Sequence, residues 1–260
     1  MPLGLALLLG VVEGLTEYLP VSSTGHLVIV ARLLGRQAGS FEIVIQLGAI
    51  LAVVVHFRAL LASHVAGILA RKKASIDFAR AIAIGFVPIA ILGKLFGHAI
   101  KDRLFHPVPI AIALAVGGAL MIAIERRVAA RGEEGLERVT PMRALCIGLG
   151  QCFALLPGAS RSMCTIVAGR LCGLSNATAA EFSFLLGVPT LGAATLYEAW
   201  KSRAELAQNG APAVALGLVT SFFVAWAVVA AFLRYLQSRG LAPFGVYRIV
   251  LAALVLAFMR

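Results

Sequence analysis

Charge is scarce in this chain, and acidic charge scarcest. Only 13% of the 260 residues are charged, with 12 Asp and Glu against 23 Lys and Arg. A soluble domain carries about 25% charged residues, so a molecule faced with water on all sides is excluded. Cysteine is also sparse: Cys146, Cys152, Cys164 and Cys172 show no CxxC pair and no Cys/His ligand spacing. That leaves out a disulfide framework or zinc site and makes them small packing residues. Residues 3–12 are apolar but lack the basic lead-in of a signal peptide, and Glu13 and Glu17 stand in place of a small-residue cleavage site. His56, His64, His98 and His106 border loops and form no constellation.

What is abundant is apolar sequence. A hydrophobic share of 60% and a mean hydropathy of +0.95 indicate a polytopic membrane protein. The net charge of +11 would suit nucleic acid, but the basic residues cluster between apolar runs, as they do in cytoplasmic loops. The expected partner is therefore the bilayer, with no nucleic acid.

Residues 3–19 are apolar apart from their carboxylates, Pro20 breaks the helix, and 22–25 make a turn. The next apolar run, 27–34, is only about 12 Å long as a helix, too short to cross. The pair predicts a re-entrant hairpin, tolerated at membrane depth where protein buries it or a cavity borders it. Spans are expected at about 41–57, 81–100 and 108–124, with basic loops at 58–80 and 125–143. A second broken region, 144–173, centres on Pro157-Gly158-Ala159-Ser160-Arg161-Ser162, and spans near 182–200, 212–233 and 244–259 follow. The fold class is thus an all-α integral membrane protein, with six spanning helices and two re-entrant helical hairpins in one domain, 1–260.

The second half repeats the first. A shift of 138 residues puts Gly10 on Gly148, Glu13 on Gln151, Ser22 on Ser160, Arg32 on Arg170 and Gly35 on Gly173. A shift of 139 puts Glu42, Leu47 and Gly48 on Glu181, Leu186 and Gly187. Two repeats, about 1–125 and 143–260, are then joined by a basic cytoplasmic loop. Three spans separate the hairpins, so the repeat is inverted. Loops 58–80, 125–143 and 234–240 collect twelve Lys and Arg on one side. Seven fall on the other: Arg32, Arg36, Lys101, Arg103, Lys201, Arg203 and Arg260. The positive-inside rule makes the richer side cytoplasmic, and the tips, 20–26 and 157–165, meet near the midplane.

Intramembrane ionisable groups are costly and mark functional sites. Glu13 and Glu17 share one helix face one turn apart, where two anions need a proton, a cation or an Arg between them. Ser22, Ser23, Thr24 and His26 adjoin them, and the second tip adds Gln151, Ser160, Arg161, Ser162 and Thr165. A guanidinium among hydroxyls suits phosphate, Gly158 allows close backbone approach, and half-helices starting at the tips aim N–H groups at an anion. Carboxylates favour Mg²⁺ or Ca²⁺, which bridge to phosphate oxygens. The chemistry indicated is phosphoryl transfer on a lipid-borne phosphate.

Glu-Gly-Leu-Thr-Glu-Tyr-Leu-Pro-Val-Ser-Ser-Thr-Gly-His (13–26) and Leu-Pro-Gly-Ala-Ser-Arg-Ser-Met-Cys-Thr (156–165) resemble the two signature motifs of the undecaprenyl-diphosphate phosphatase family, of the bacitracin-resistance type. Residues 41–48 and 181–186 look like it too, and the likeness covers essentially the whole chain. The resemblance implies hydrolysis of undecaprenyl diphosphate to the monophosphate, recycling the envelope lipid carrier. It further implies a divalent cation and an active site opening to the periplasm from the inner membrane. By the same likeness Glu13 and Glu17 are the essential acidic pair and metal ligands. Ser23 and His26 are candidate nucleophiles or acid–base groups, and Arg161 binds phosphate. Ser22, Thr24, Gly158, Ser160, Ser162 and Thr165 surround the phosphate, while Gln46, Gln151, Glu42 and Glu181 support the site from behind. Met163-Cys164 departs from the smaller residues expected there.

Blander roles stand beside these. Glu13 and Glu17 could pair structurally with Arg, and Ser22 and Thr24 suit a helix cap. Arg32 and Arg170 suit an interface or snorkelling, and Glu42 and Glu181 suit the start of a span. Gly117-Gly118 reads as close helix packing. The nucleophile stays open among Ser23, His26 and water. A homo-oligomer is compatible with the sequence, and a transporter or flippase of a polyprenyl phosphate lipid is the alternative function.

Overall fold

The computed structural model describes residues 1–35, 39–128 and 132–258. Arg36, Arg131 and Arg260 of the charge reading lie outside the described residues, as do the side chains of His98 and Lys101. Among the described residues twelve α-helices follow one another: α1 (Leu3–Thr16), α2 (Ser23–Leu33), α3 (Ser40–His56), α4 (Arg58–Leu69), α5 (Lys73–Leu104), α6 (Pro107–Arg127), α7 (Pro141–Gln151), α8 (Arg161–Leu171), α9 (Asn176–Lys201), α10 (Arg203–Asn209), α11 (Ala211–Ser238) and α12 (Ala242–Phe258).

Among the described residues, α5 over Lys73–Gly97 and the whole of α6, α9 and α11 are long and apolar enough to cross a membrane. The first expected span is helical over only 17 residues and then bends by 70° into α4. The last, α12, is also 17 residues, near the short limit for a bilayer core of about 30 Å. Residues 58–80 are therefore not the loop expected: they form α4 and the first two turns of α5. Ala-Leu-Leu-Ala between Arg58 and Ser63 is good helix-forming sequence, and the basic run 71–73 marks only its far end. Val65, Ile68 and Leu69 are exposed on α4.

The two broken regions are the short helix pairs α1–α2 and α7–α8, each pair in contact. Their arms have 14, 11, 11 and 11 residues, or about 16–21 Å, so none crosses the core alone. Both second arms start in the same unusual way. Ser22 and Ser160 hold positive φ, 74° and 71°, and their side chains accept hydrogen bonds from Gly25 N and Met163 N. The shift that aligned these serines in sequence thus aligns a matching backbone and cap. Helix contacts follow the same correspondence. α1 packs on α11 and α7 on α5, each first arm against the penultimate helix of the other half.

The core is apolar, but large hydrophobic side chains are also left outside and several charged ones are taken in. Leu95, Ile112, Phe223 and Leu254 are exposed on the long helices, while Glu13, Glu17, Gln151, Arg161 and Arg248 are buried. Arg170 is buried as well, donating from Nη1 to Leu174 O at 2.7 Å, so it clasps the turn before α9 instead of snorkelling. The linker is fastened to that turn: Glu133 N donates to Gly173 O at 2.8 Å and Ser175 N to Glu133 O at 2.9 Å. Arg143 pairs with Glu133, and that hydrogen bond pulls the Glu133 carboxyl below its usual range.

Candidate active site

Glu13 and Glu17 lie on one face of the first arm, as their spacing predicts, with 1% and 5% of their surface exposed. Glu17 gathers the site. Its Oε2 accepts from Ser23 Oγ at 2.5 Å and from Gln46 Nε2 at 2.9 Å. Its Oε1 lies 3.5 Å from Arg161 Nη2. Gln46 is itself fixed by Thr195 Oγ1, which donates to Gln46 Oε1 at 3.0 Å. A carboxylate on a serine hydroxyl, buttressed from behind, has the geometry with which a base can activate a nucleophile.

Arg161 opens α8. Its Nη1 donates to Ser183 O at 2.9 Å, and its guanidinium sits 5.4 Å over the ring of Tyr18, a cation–π contact. Gly187 makes the space, since a Cβ there would stand 2.8 Å from Arg161 Nη1. Thr165 donates to Arg161 O at 2.9 Å and meets Ser183 Oγ at 2.6 Å. It therefore steadies the arginine and does not face the cavity.

A cavity of about 140 Å³ lies between the tips, with Glu17, Ser22, Ser23, Thr24, Gln46, Gly158, Ser160 and Arg161 in its wall. The first turns of α2 and α8 both border it, so two sets of helix N-terminal N–H groups converge on one polar space. A second cavity of about 410 Å³ adjoins it through Ser23, Thr24, Gln46 and Phe105, and adds Glu13, Glu42, Glu198 and Glu205. Both Glu13 oxygens are buried without a hydrogen-bond partner, as is Glu42 Oε1. Orphaned carboxylate oxygens facing a cavity suit a hard cation. Among the described residues no group of three His, Cys, Asp or Glu is set to hold an ion. Water and substrate oxygens would complete the coordination.

Other anticipated residues stand elsewhere. His26 Nδ1 lies 2.7 Å from Ser22 O and Nε2 2.6 Å from Tyr247 OH, its ring stacked on that tyrosine. A carbonyl only accepts, so Nδ1 carries the proton and Nε2 accepts from the phenol; with both ring nitrogens so engaged, the imidazole is not hydrogen-bonded to Ser23 or Glu17. Ser22 caps α2 and Ser160 caps α8, and both still reach the small cavity. Ser162 donates to Leu19 O at 2.9 Å, a bond from one tip to the other. Gln151 reaches back to Gly85 O at 3.4 Å, tying α7 to α5. Glu42 caps its own helix at Gly39 N, 2.8 Å away. Glu181 lies in the second turn of α9 beside a separate cavity with His64, Lys73 and Glu137, and lines neither cavity at the tips.

Sequence reasoning missed Arg248, whose side chain is wholly buried. It donates to Pro20 O at 3.2 Å in the first tip and to Gly158 O and Ala159 O at 3.0 and 3.1 Å in the second. It also holds Ala113 O and Leu114 O on α6. Gly117 leaves it room, a Cβ there coming within 2.4 Å of Nη2. The signal was present: a lone arginine inside the run 244–259. Arg248→Met is expected to strand these carbonyls at about 1–3 kcal/mol each before relaxation. A melting temperature in detergent lowered by several degrees checks it, while an unchanged one removes the clasp.

Fold and site together define an all-helical, multi-pass membrane protein with a carboxylate–serine–arginine centre where two broken helix pairs meet. The chain belongs to the family described as "Bacitracin resistance protein BacA", whose profile matches residues 6–254. It is similar to proteins named undecaprenyl-diphosphatase. One from Sorangium cellulosum is 56% identical over 96% of this chain and 84% of its own. Another from Sphingopyxis alaskensis is 45% identical over 94% and 93%, and one from Aromatoleum aromaticum 44% over 97% and 93%.

Proposed function

We propose that this protein hydrolyses undecaprenyl diphosphate to undecaprenyl phosphate and inorganic phosphate, recycling the lipid carrier for cell-wall synthesis and conferring bacitracin resistance. The observation that carries the reading is Ser23 Oγ, held 2.5 Å from Glu17 Oε2 in a polar cavity that Arg161 also borders. The terminal phosphoryl group lies among the α2 and α8 N–H groups and Arg161. Ser23 attacks phosphorus as Glu17 takes its proton, the bridging oxygen leaves with the lipid monophosphate, and water then releases phosphate from Ser23. Glu13 and Glu17 would hold a divalent cation, Mg²⁺ or Ca²⁺, which would neutralise charge on the diphosphate. His26 acts through the tip backbone, holding Ser22 O and so the start of α2.

The two short helix pairs are re-entrant hairpins in this reading, and α3 and α12 complete six spans in an inverted repeat. The matching Ser22 and Ser160 caps and the exchanged contacts of α1 and α7 support it. The larger cavity reaches Phe105, beyond the end of α5, and Glu198, near the end of α9. It therefore opens at the end of α5 opposite the basic run 71–73. Under the positive-inside rule that end is periplasmic and the membrane is the bacterial inner one.

The test is phosphate release from undecaprenyl diphosphate by purified protein in detergent, where no second side exists to transport to. Release is expected with Mg²⁺ or Ca²⁺, to stop with EDTA, and to be lost in Glu17→Gln. Well-folded protein that binds the lipid but releases no phosphate would instead be a carrier of polyprenyl phosphate.

A further inference from the structure

A further cavity, of about 330 Å³, lies between α6 and the α7–α8 pair, and its lining is apolar throughout. Val116 and Leu120 form one wall, and Met163, Val167 and Leu171 the other, with Gly117 at the floor. It shares Leu156 with the small polar cavity of Ser23 and Arg161. On one side of Leu156 therefore lie Pro157, Gly158 and Ser160, and on the other Ala159 and Met163.

We infer that this groove seats the first isoprene units of the lipid substrate's tail, an assignment that rests on the phosphatase reading. A lipid whose phosphates occupy the polar cavity needs an apolar path beginning within a side chain's reach of them, and the groove begins at Leu156. It offers the tail no polar group to desolvate. The rival path does. Leu27, Val28 and Ile43 border the larger cavity, but they share it with Glu13, Glu42, Glu198 and Glu205. A chain lying there would strip water from carboxylates at a cost of several kcal/mol each. The groove also opens sideways, since Val116, Leu120 and Leu171 are 54%, 46% and 64% exposed. A tail can enter from the bilayer without threading. Its volume suits a short segment of chain, so the distal units remain among lipids. Met163 stands where a smaller residue was expected, and its flexible thioether can follow the kinks of a polyprenyl chain.

The experiment uses a polyprenyl diphosphate carrying a diazirine on its second isoprene unit, photolysed with the full-length protein in detergent and mapped by mass spectrometry. Labelling at Leu120, Val167 or Leu171, suppressed by excess undecaprenyl diphosphate, is the expected result. Labelling at Leu27, Val28 or Ile43 overturns the assignment, as does groove labelling that excess substrate leaves unchanged, which marks ordinary lipid. A second arm uses Leu120→Trp, at an exposed position outside the polar site. It is expected to raise KM for undecaprenyl diphosphate about tenfold or more and leave turnover of isopentenyl diphosphate, whose single unit goes no further than the Leu156 end of the groove, as in the wild type. Equal effects on both substrates, or none on either, overturn the assignment. Labelling reads binding without turnover, so absence of phosphate release by wild-type protein would fault the phosphatase reading separately.

Discussion

Ser23→Ala is expected to lower kcat for phosphate release by roughly 10⁴-fold or more, with little change in KM. That is the loss expected when a nucleophile is removed from a site that still binds and polarises its substrate. The geometry makes the number decisive. Ser23 Oγ donates to Glu17 at 2.5 Å, so the hydroxyl is already aligned with its base. If Ser23 merely hydrogen-bonded a phosphate oxygen and water attacked, its removal would cost one charged hydrogen bond, about 10- to 100-fold. A loss inside that smaller range sinks the covalent scheme. Rapid-quench trapping offers a second reading, with phosphate expected on Ser23 and absent from His26. Folding should be untouched, because Gln46 still holds Glu17 Oε2.

Arg161→Ala combines two losses that can be separated. The guanidinium borders the phosphate cavity and its removal is expected to lower kcat/KM about 10³-fold or more. It also leaves Glu17 buried without its cation, and breaking a buried pair from one side costs about 3–5 kcal/mol. The melting temperature should therefore fall alongside activity. Adding Glu17→Gln removes the stranded charge. The double variant is expected to regain most of the lost thermal stability and none of the turnover. If stability does not return, the 3.5 Å contact between Arg161 and Glu17 is not what held the tips. Arg161→Lys should fall between, because one ammonium cannot meet Glu17, Ser183 O and the Tyr18 ring together.

Much of this was legible in the sequence because polar residues in an apolar chain have few reasons to be there. Glu13, Glu17, Ser23 and Arg161 stood out by type and converge in space. The breaks at Pro20 and Pro157 are both turns in the structure, although proline alone does not decide it: Pro88 and Pro189 sit inside α5 and α9. Residues that act through partners distant in sequence were hidden. His26 follows Ser-Ser-Thr-Gly and looked chemical, but Tyr247 and Ser22 O occupy its ring, and nothing local foretells a contact across 221 positions. Tyr18 reads as one more apolar side chain, although its ring carries the Arg161 guanidinium and packs edge-on to Phe184 at 4.9 Å. α4 was masked by the basic cluster at its end. Arg248 was readable by the same rule that exposed Glu13, but no motif adjoins it and its partners are carbonyls that no sequence pattern marks.

The aromatic stack behind the site has an electrical consequence. Tyr18, Phe184 and Phe232 pack in sequence, with ring centroids 4.9 and 6.1 Å apart, and none of the three lines the acidic cavity. With the proposed periplasmic opening, water in that cavity would carry the outside potential inward to the tips. Most of the membrane voltage, about 2.3 kcal/mol per charge per 100 mV, would then fall across the packed protein beyond them. A diphosphate arriving through the water-filled side would climb little of that field, so hydrolysis is expected at nearly the same rate in an energised and a depolarised cell. A headgroup carried across the packed protein would meet most of it.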